Sequence, residues 1–181
     1  MKLFKQNGKT NTLETVACAI ARAKELGIKH LVVASSTGET AKLLLGSGLN
    51  IICVTHQAGY SNPGEIEIPK ETRQFLQKEG AKVLTTTHLL AGVDRALRFK
   101  FQGVYPAEII ANTLRMFGQG TKVCVEVAVM ALDAGLIPYG EEVIAIGGTG
   151  EGADTALVLV PAHSGYIFDT KIKEFICMPR A

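Results

Sequence analysis

The apolar run Leu31-Val32-Val33-Ala34 breaks off at Ser35-Ser36-Thr37-Gly38, after which Glu39-Thr40-Ala41 resumes at helical spacing. An apolar run without polar alternation marks a strand buried on both faces, the state of strands in helix-covered parallel sheets. This restricts the chain to α/β folds in which strand, turn and helix succeed one another. The turn itself carries chemistry. Ser36 and Glu39 have the spacing of a capping box, so Ser36 is expected to open a helix whose first N–H groups lack partners within it. Such donors, at the positive end of the helix dipole, attract anions. The hydroxyls of Ser35, Ser36, Thr37 and Thr40 add donors without bulk, and Gly38 is expected to let a ligand oxygen approach the backbone. A phosphate is the anion that this set suits.

The same alternation runs along the chain. Asn11 and Glu14 read as a helix start, Val16, Ile20, Ala23 and Leu26 recur at helical spacing, and Gly27 ends the pattern. Residues 28–34 then read as a strand, 40–45 as a helix and 49–55 as a second apolar strand. Residues 56–68, with Gln57, Gly59, Tyr60, Asn62, Pro63 and Gly64, read as a long connection, and long connections in compact domains carry function. Pro69 can begin a helix that Gly80 closes before a strand at 81–86. Two or three helices are expected between Gly92 and Gly140, with the valine-rich stretch 123–132 read as a buried helix. Three short strands, at 142–146, 155–160 and 172–178, finish the sheet with an antiparallel member. The expected architecture is a single α/β domain over residues 1–181: three layers, a mostly parallel open sheet, and helices on both faces.

A second motif follows the strand at 142–146. Gly147-Gly148-Thr149-Gly150-Glu151-Gly152-Ala153-Asp154 has four glycines in six residues, so its backbone can wrap a ligand, with Thr149 and Asp154 placed to read hydroxyls or ring nitrogens. It is not a dinucleotide fingerprint, because a strand pattern and not a helix comes next. In a parallel sheet the carboxyl ends of the strands line one crevice, where ligands of open α/β folds sit. The strands read here end at Ser35-Ser36-Thr37, at Thr55-His56-Gln57, at Thr85-Thr86-Thr87-His88 and at Gly147-Gly148-Thr149, and all four tips are small and polar. His56 and His88 are expected to hydrogen-bond a ligand. No carboxylate spacing completes a metal-ligand set around them or around His163, so no metal is expected. Glu126, a lone acid in an apolar helix, reads as solvated at one edge; in a buried helix it would need a partner or a proton. Asp94, Arg95, Arg98 and Lys100 read as a solvated face from which Arg95 or Arg98 could reach a phosphate.

Several classes are disfavoured. A formal charge of +2 with 20% charged residues gives no field to steer nucleic acid, and no basic run is interleaved with aromatics. No apolar stretch reaches membrane-spanning length, and residues 1–6 lack the apolar core of a secretory signal, so a cytoplasmic location is expected. Cys18, Cys53, Cys124 and Cys177 are scattered without C-x-x-C spacing and are expected to be reduced.

Residues 31–44 together with Ile51-Ile52-Cys53-Val54-Thr55 resemble the start of the pyruvate kinase carboxy-terminal domain, in which such a turn binds a sugar phosphate. Over its whole length the chain is more similar to the free-standing members of that family in archaea and anaerobic bacteria. Those members are associated with flavin mononucleotide (FMN). The resemblance therefore implies a flavin phosphate on Ser35, Ser36, Thr37, Gly38 and Thr40, with the ring towards the loop at 147–154. No part of this sequence reads as the barrel that holds the metal ions and phosphoenolpyruvate in pyruvate kinase, so kinase activity is not expected. Two readings follow: a flavin-dependent oxidoreductase or flavin carrier, in which His56, His88 or Tyr60 contacts the ring, and a non-catalytic sensor of a phosphorylated sugar or nucleotide. A hydrolase or isomerase of a phosphorylated metabolite is weaker, because no Ser-His-acid order or paired carboxylates stand out. Exposed apolar helix surface in 92–140 suggests a homodimer.

Overall fold

Valine, isoleucine and leucine fill the central strands of the computed structural model, which describes residues 1–180. Successive side chains of a strand point to opposite faces, so an unbroken apolar run feeds two cores at once. On one face Leu31, Val33, Ile51 and Cys53 pack with Ile144 and Ile146 against Val16, Ala19 and Ala23 of α1 (Thr12–Leu26), Ala41 of α2 (Glu39–Lys42) and Leu76 of α3 (Lys70–Lys78). On the other, Val32, Ile52, Val54, Val143 and Ala145 pack against Cys124, Val127, Ala128 and Ala131 of α6 (Gln119–Asp133). The result is the expected three-layer α/β architecture.

The strands are β1 (Lys2–Phe4), β2 (His30–Ala34), β3 (Asn50–Thr55), β4 (Lys82–Thr85), β5 (Val143–Gly147), β6 (Thr155–Val160) and β7 (Lys171–Pro179). They form one sheet in the order β1-β7-β6-β5-β2-β3-β4. β5, β2, β3 and β4 run parallel, with Leu31 opposite Ile144 on one side and Ile51 on the other. β6 is antiparallel to both β5 and β7, and is the expected antiparallel member. The edge strand β1, parallel to β7, was not legible as a strand in residues 2–4. From β2 the chain steps outward through α2 and α3 on one face. It returns by way of α4 (Gly92–Phe101), α5 (Pro106–Arg115) and α6 on the other to reach β5. A sheet whose winding reverses between β5 and β2 leaves a crevice at their carboxyl ends.

The valine-rich stretch is helical and buried, as its length and small neighbours implied. Two glycines let α6 lie close on the sheet: a Cβ on Gly120 would fall 2.1 Å from Thr155 Oγ1, and one on Gly147 would fall 2.6 Å from the Gly120 carbonyl oxygen. Glu126 does not sit at a solvated edge. It is 5% exposed, and its carboxylate pairs with Lys122, one turn earlier, and accepts the Leu90 amide at 2.8 Å. The wet-edge expectation fails because α6 is covered on nearly every side, so the acid needed a partner, and Lys122 supplies it. α4 and α5 leave Phe99, Phe101 and Ile109 exposed, as is Met116 just beyond α5. Among the described residues, no helix is long and apolar enough to cross a membrane. All four cysteines are free thiols, and burial pushes Cys53 up to about 12 and Cys177 to about 11.

Candidate functional site

A cavity of about 750 Å³ opens at the carboxyl ends of β2, β3 and β5. The turn after β2 supplies Ser35, Ser36, Thr37 and Thr40; the tip of β3 supplies Thr55 and His56; His88 comes from beyond β4, and Gly148 and Gly150 from the loop after β5. Four strand tips far apart in sequence thus converge, as a parallel sheet requires of tips at one end. Thr12 and Leu13 of α1 and Gln119, Val123, Glu126 and Met130 of α6 close the sides, none of which sequence reading had placed at a site. Their signal was hidden because a helix shows its cavity-facing residues only once its rotation against the sheet is known.

The turn differs from expectation in one respect. Ser36 does not cap α2: the residue before the helix is Gly38, and no side chain caps it. α2 is four residues long, too short for a developed dipole, so the helix dipole that the spacing implied does not form here. The donors nonetheless remain. The amides of Ser36, Thr37, Gly38, Glu39 and Thr40 find no acceptor among the described residues, whereas the Ala41 amide donates to Ser35 Oγ at 3.4 Å and that of Lys42 to the Gly38 carbonyl at 3.0 Å. Consecutive unpaired N–H groups in a turn form a concave nest for an anion. Gly38 plays a part other than the expected one. Its φ of +87° places a hypothetical Cβ 2.6 Å from Thr72 Cγ2 and 3.2 Å from Leu76 Cδ1, so the side of Gly38 where a side chain would stand is filled by α3 and not by the cavity.

The loop after β5 is likewise built for itself. Asp154 is fully buried, and its carboxylate accepts the Gly8 amide at 2.8 Å, the Thr149 amide at 3.1 Å and the Thr155 hydroxyl at 2.7 Å. Its acceptors are therefore engaged within the protein, and Asp154, Thr149 and Gly147 do not line the cavity. A Cβ on Gly148 would meet the Gly152 carbonyl oxygen at 2.6 Å, and one on Gly152 would meet Thr12 Oγ1 at 2.3 Å. Gln57 stands behind the rim, its side-chain oxygen accepting the His88 amide at 3.2 Å, and Thr86 and Thr87 are exposed outside the cavity. Thr55 is buried, with its hydroxyl 2.7 Å from that of Thr85.

At the mouth, three rings meet. His56 stacks on Tyr60 with centroids 3.9 Å apart, and His88 presents an edge to His56 at 5.2 Å. His56 Nδ1 lies 2.6 Å from Glu67 Oε2, and the Ser61 hydroxyl donates to the other carboxylate oxygen. These two bonds, that of Ser61 first, hold the Glu67 carboxyl below its usual range, and burial lowers the His88 imidazole. Arg95 rests over the Tyr60 and Phe99 rings, and Arg98 pairs with Glu108 at 2.8 Å, so neither reaches the turn. The acids around the cavity are neutralised locally: Glu39 by Lys42, Glu151 by Lys9 and Glu126 by Lys122. An incoming anion therefore meets unpaired amides and hydroxyls without an uncompensated carboxylate beside them.

A family model described as "Pyruvate kinase, alpha/beta domain" matches residues 13–159. Among solved structures, a pyruvate kinase from Cryptosporidium parvum is 17% identical, with 81% of this chain and 22% of that one covered and a TM-score of 0.42. The Cryptosporidium parvum pyruvate kinase in complex with ADP is 19% identical, with 90% and 23% covered and a TM-score of 0.39. This chain spans less than a quarter of the length of those proteins.

Proposed function

Since the chain belongs to the pyruvate kinase alpha/beta domain family, we propose that its cavity binds a phosphorylated ligand of mononucleotide size, with FMN the leading candidate. The observation that carries this reading is the run of five unpaired amides from Ser36 to Thr40 at one end of a 750 Å³ cavity. Sites for small ligands span roughly 300–1,000 Å³. The residues present suit FMN. Ser35, Ser36, Thr37 and Thr40 would hold the phosphate; Val54, Val123, Val127 and Met130 offer an apolar wall to a flat ring, and the His56–Tyr60 stack closes the mouth. Bound flavin would supply electron or hydride transfer, making the protein an oxidoreductase or flavin carrier. The chain's own share is to bind the phosphate, orient the ring and exclude water.

A second reading, a non-catalytic sensor of a sugar phosphate or nucleotide, is supported by the saturation of the charged groups. Glu39, Glu126 and Glu151 are each paired before any ligand arrives. One measurement separates the two. Protein purified without added ligand is examined by visible spectroscopy, and any small molecule it releases is identified by mass spectrometry. A yellow protein releasing FMN supports the first reading. A colourless protein stabilised by sugar phosphates and not by FMN supports the second, and one stabilised by no phosphorylated compound defeats both.

A further inference from the structure

We infer that His56 and Glu67 form an acid–base dyad at this cavity, with His56 Nε2 accepting a proton from a hydroxyl of the bound ligand and Glu67 acting as a positioning residue. The inference rests on the reading that the cavity holds a phosphorylated ligand, and it adds a chemical step to it. The connection between β3 and α3 builds the dyad by folding back on itself: the Gly59 amide donates to the Glu65 carbonyl at 2.7 Å, and that of Glu65 to the Asn62 carbonyl at 3.1 Å. This fold returns Glu67 to His56, eleven residues earlier, and brings the Ser61 hydroxyl onto the second oxygen of the same carboxylate.

The chemistry follows from which atoms can donate. Glu67, ionised and already accepting from Ser61, can only accept, so His56 Nδ1 carries the hydrogen and Nε2 keeps its lone pair. Nε2 has no partner among the described residues, while His56 lines the cavity. The Tyr60 ring at 3.9 Å holds the imidazole plane. A carboxylate that fixes the tautomer and orientation of an imidazole whose far nitrogen faces a ligand is the arrangement that activates such a base. In the step proposed, the ligand O–H bond breaks and its proton forms the Nε2–H bond. The electron pair of the broken bond stays on the ligand oxygen, the positive charge on the ring is balanced by Glu67, and the reverse transfer from Nε2 restores both groups. His88, at 5.2 Å, is the competing base, but no carboxylate is bonded to its ring nitrogens among the described residues.

The test uses the full chain labelled with ¹⁵N-histidine, with His56→Gln to assign the ring signals. Long-range ¹H–¹⁵N spectra, recorded at a pH high enough that the imidazole is neutral, are expected to show His56 as the Nδ1-protonated tautomer, and Glu67→Gln as a mixture of tautomers. Acylation of His56 by diethyl pyrocarbonate, followed by peptide mass spectrometry, is expected to slow several-fold in Glu67→Gln, because the carboxylate no longer fixes the tautomer that leaves Nε2 its lone pair. Added FMN is expected to protect Nε2, whereas inorganic phosphate, which fills only the turn, leaves it reactive. An Nε2-protonated ring in the wild-type protein overturns the dyad, and so does FMN that binds without protecting His56. If neither FMN nor phosphate binds while the Nδ1 tautomer is present, the ligand reading fails and the dyad's geometry stands.

Discussion

Two glycine-bearing turns sit side by side at the carboxyl ends of β2 and β5, and they handle their polar groups in opposite ways. The turn after β2 leaves five consecutive amides without acceptors, while the loop after β5 closes on Asp154, which takes up the Gly8 and Thr149 amides. Both look like ligand cradles in sequence. Glycine content therefore marks close backbone approach, and what approaches can be a ligand or the protein itself. At Gly38, Gly148 and Gly152 it is the protein, because a Cβ at each would meet an atom of the chain at 2.6 Å or less.

The contrast can be broken most severely at Asp154. Asp154→Ala would strand two half-buried amides and the buried Thr155 hydroxyl, and is expected to lower the unfolding free energy by about 3 kcal/mol, read from urea denaturation. An unchanged midpoint would mean that the β5 loop is not self-supporting. Gly38→Ala comes next, with an expected loss of about 2 kcal/mol from the positive φ and the clash with Thr72. Thr72→Ser, which removes the clashing methyl, should restore part of it. Since Gly38 faces α3, the folded variant should still bind FMN with wild-type affinity in calorimetric titration, and a selective loss of binding would return Gly38 to the ligand side.

On the ligand-facing turn the balance should invert. Thr37→Val, at an exposed position, is expected to leave stability within about 0.5 kcal/mol. It should nonetheless weaken FMN about tenfold through one lost hydrogen bond to a charged group. The smallest effect concerns pH. Burial lowers the His88 pKa from 6.5, so the unfolded chain binds protons more readily than the folded one. That part of the stability is present above about pH 6.5 and lost as the pH falls towards the lowered folded value. His88→Gln should flatten the acid side of the stability curve, and His30, also lowered by burial, should leave a residual slope.

Much of this molecule was legible before its shape was known. The unbroken apolar runs of β2 and β3 implied strands covered on both sides, Gly27 marked the end of α1, where the structure shows it in the left-handed conformation, and the polar strand tips implied a common rim. β1 was missed because three residues are too short to show a period. The spacing of Ser36 and Glu39 misled because a capping box describes a helix start only if the helix propagates, and here Gly38, turned to fit against Thr72 and Leu76, delays α2 and leaves it one turn long. His56 and Tyr60 stood out as polar rings in a long connection. Glu67 did not, because the bond that gives it meaning depends on how that connection folds back.

Periodicity and the chemistry of short segments settled the layered α/β plan and the crevice at which its strands end, since both follow from interactions within a few residues and from the parallel direction those runs impose. Which backbone amides stay unpaired, which glycines admit a neighbour, and which acid meets which base came from folding alone. Each depends on an atom delivered from elsewhere in the chain: the Gly8 amide to Asp154, Lys122 and the Leu90 amide to Glu126, and Glu67 to His56. Burial and hydrogen bonding are properties of a place in space, and a residue acquires them only when the rest of the chain has arrived around it.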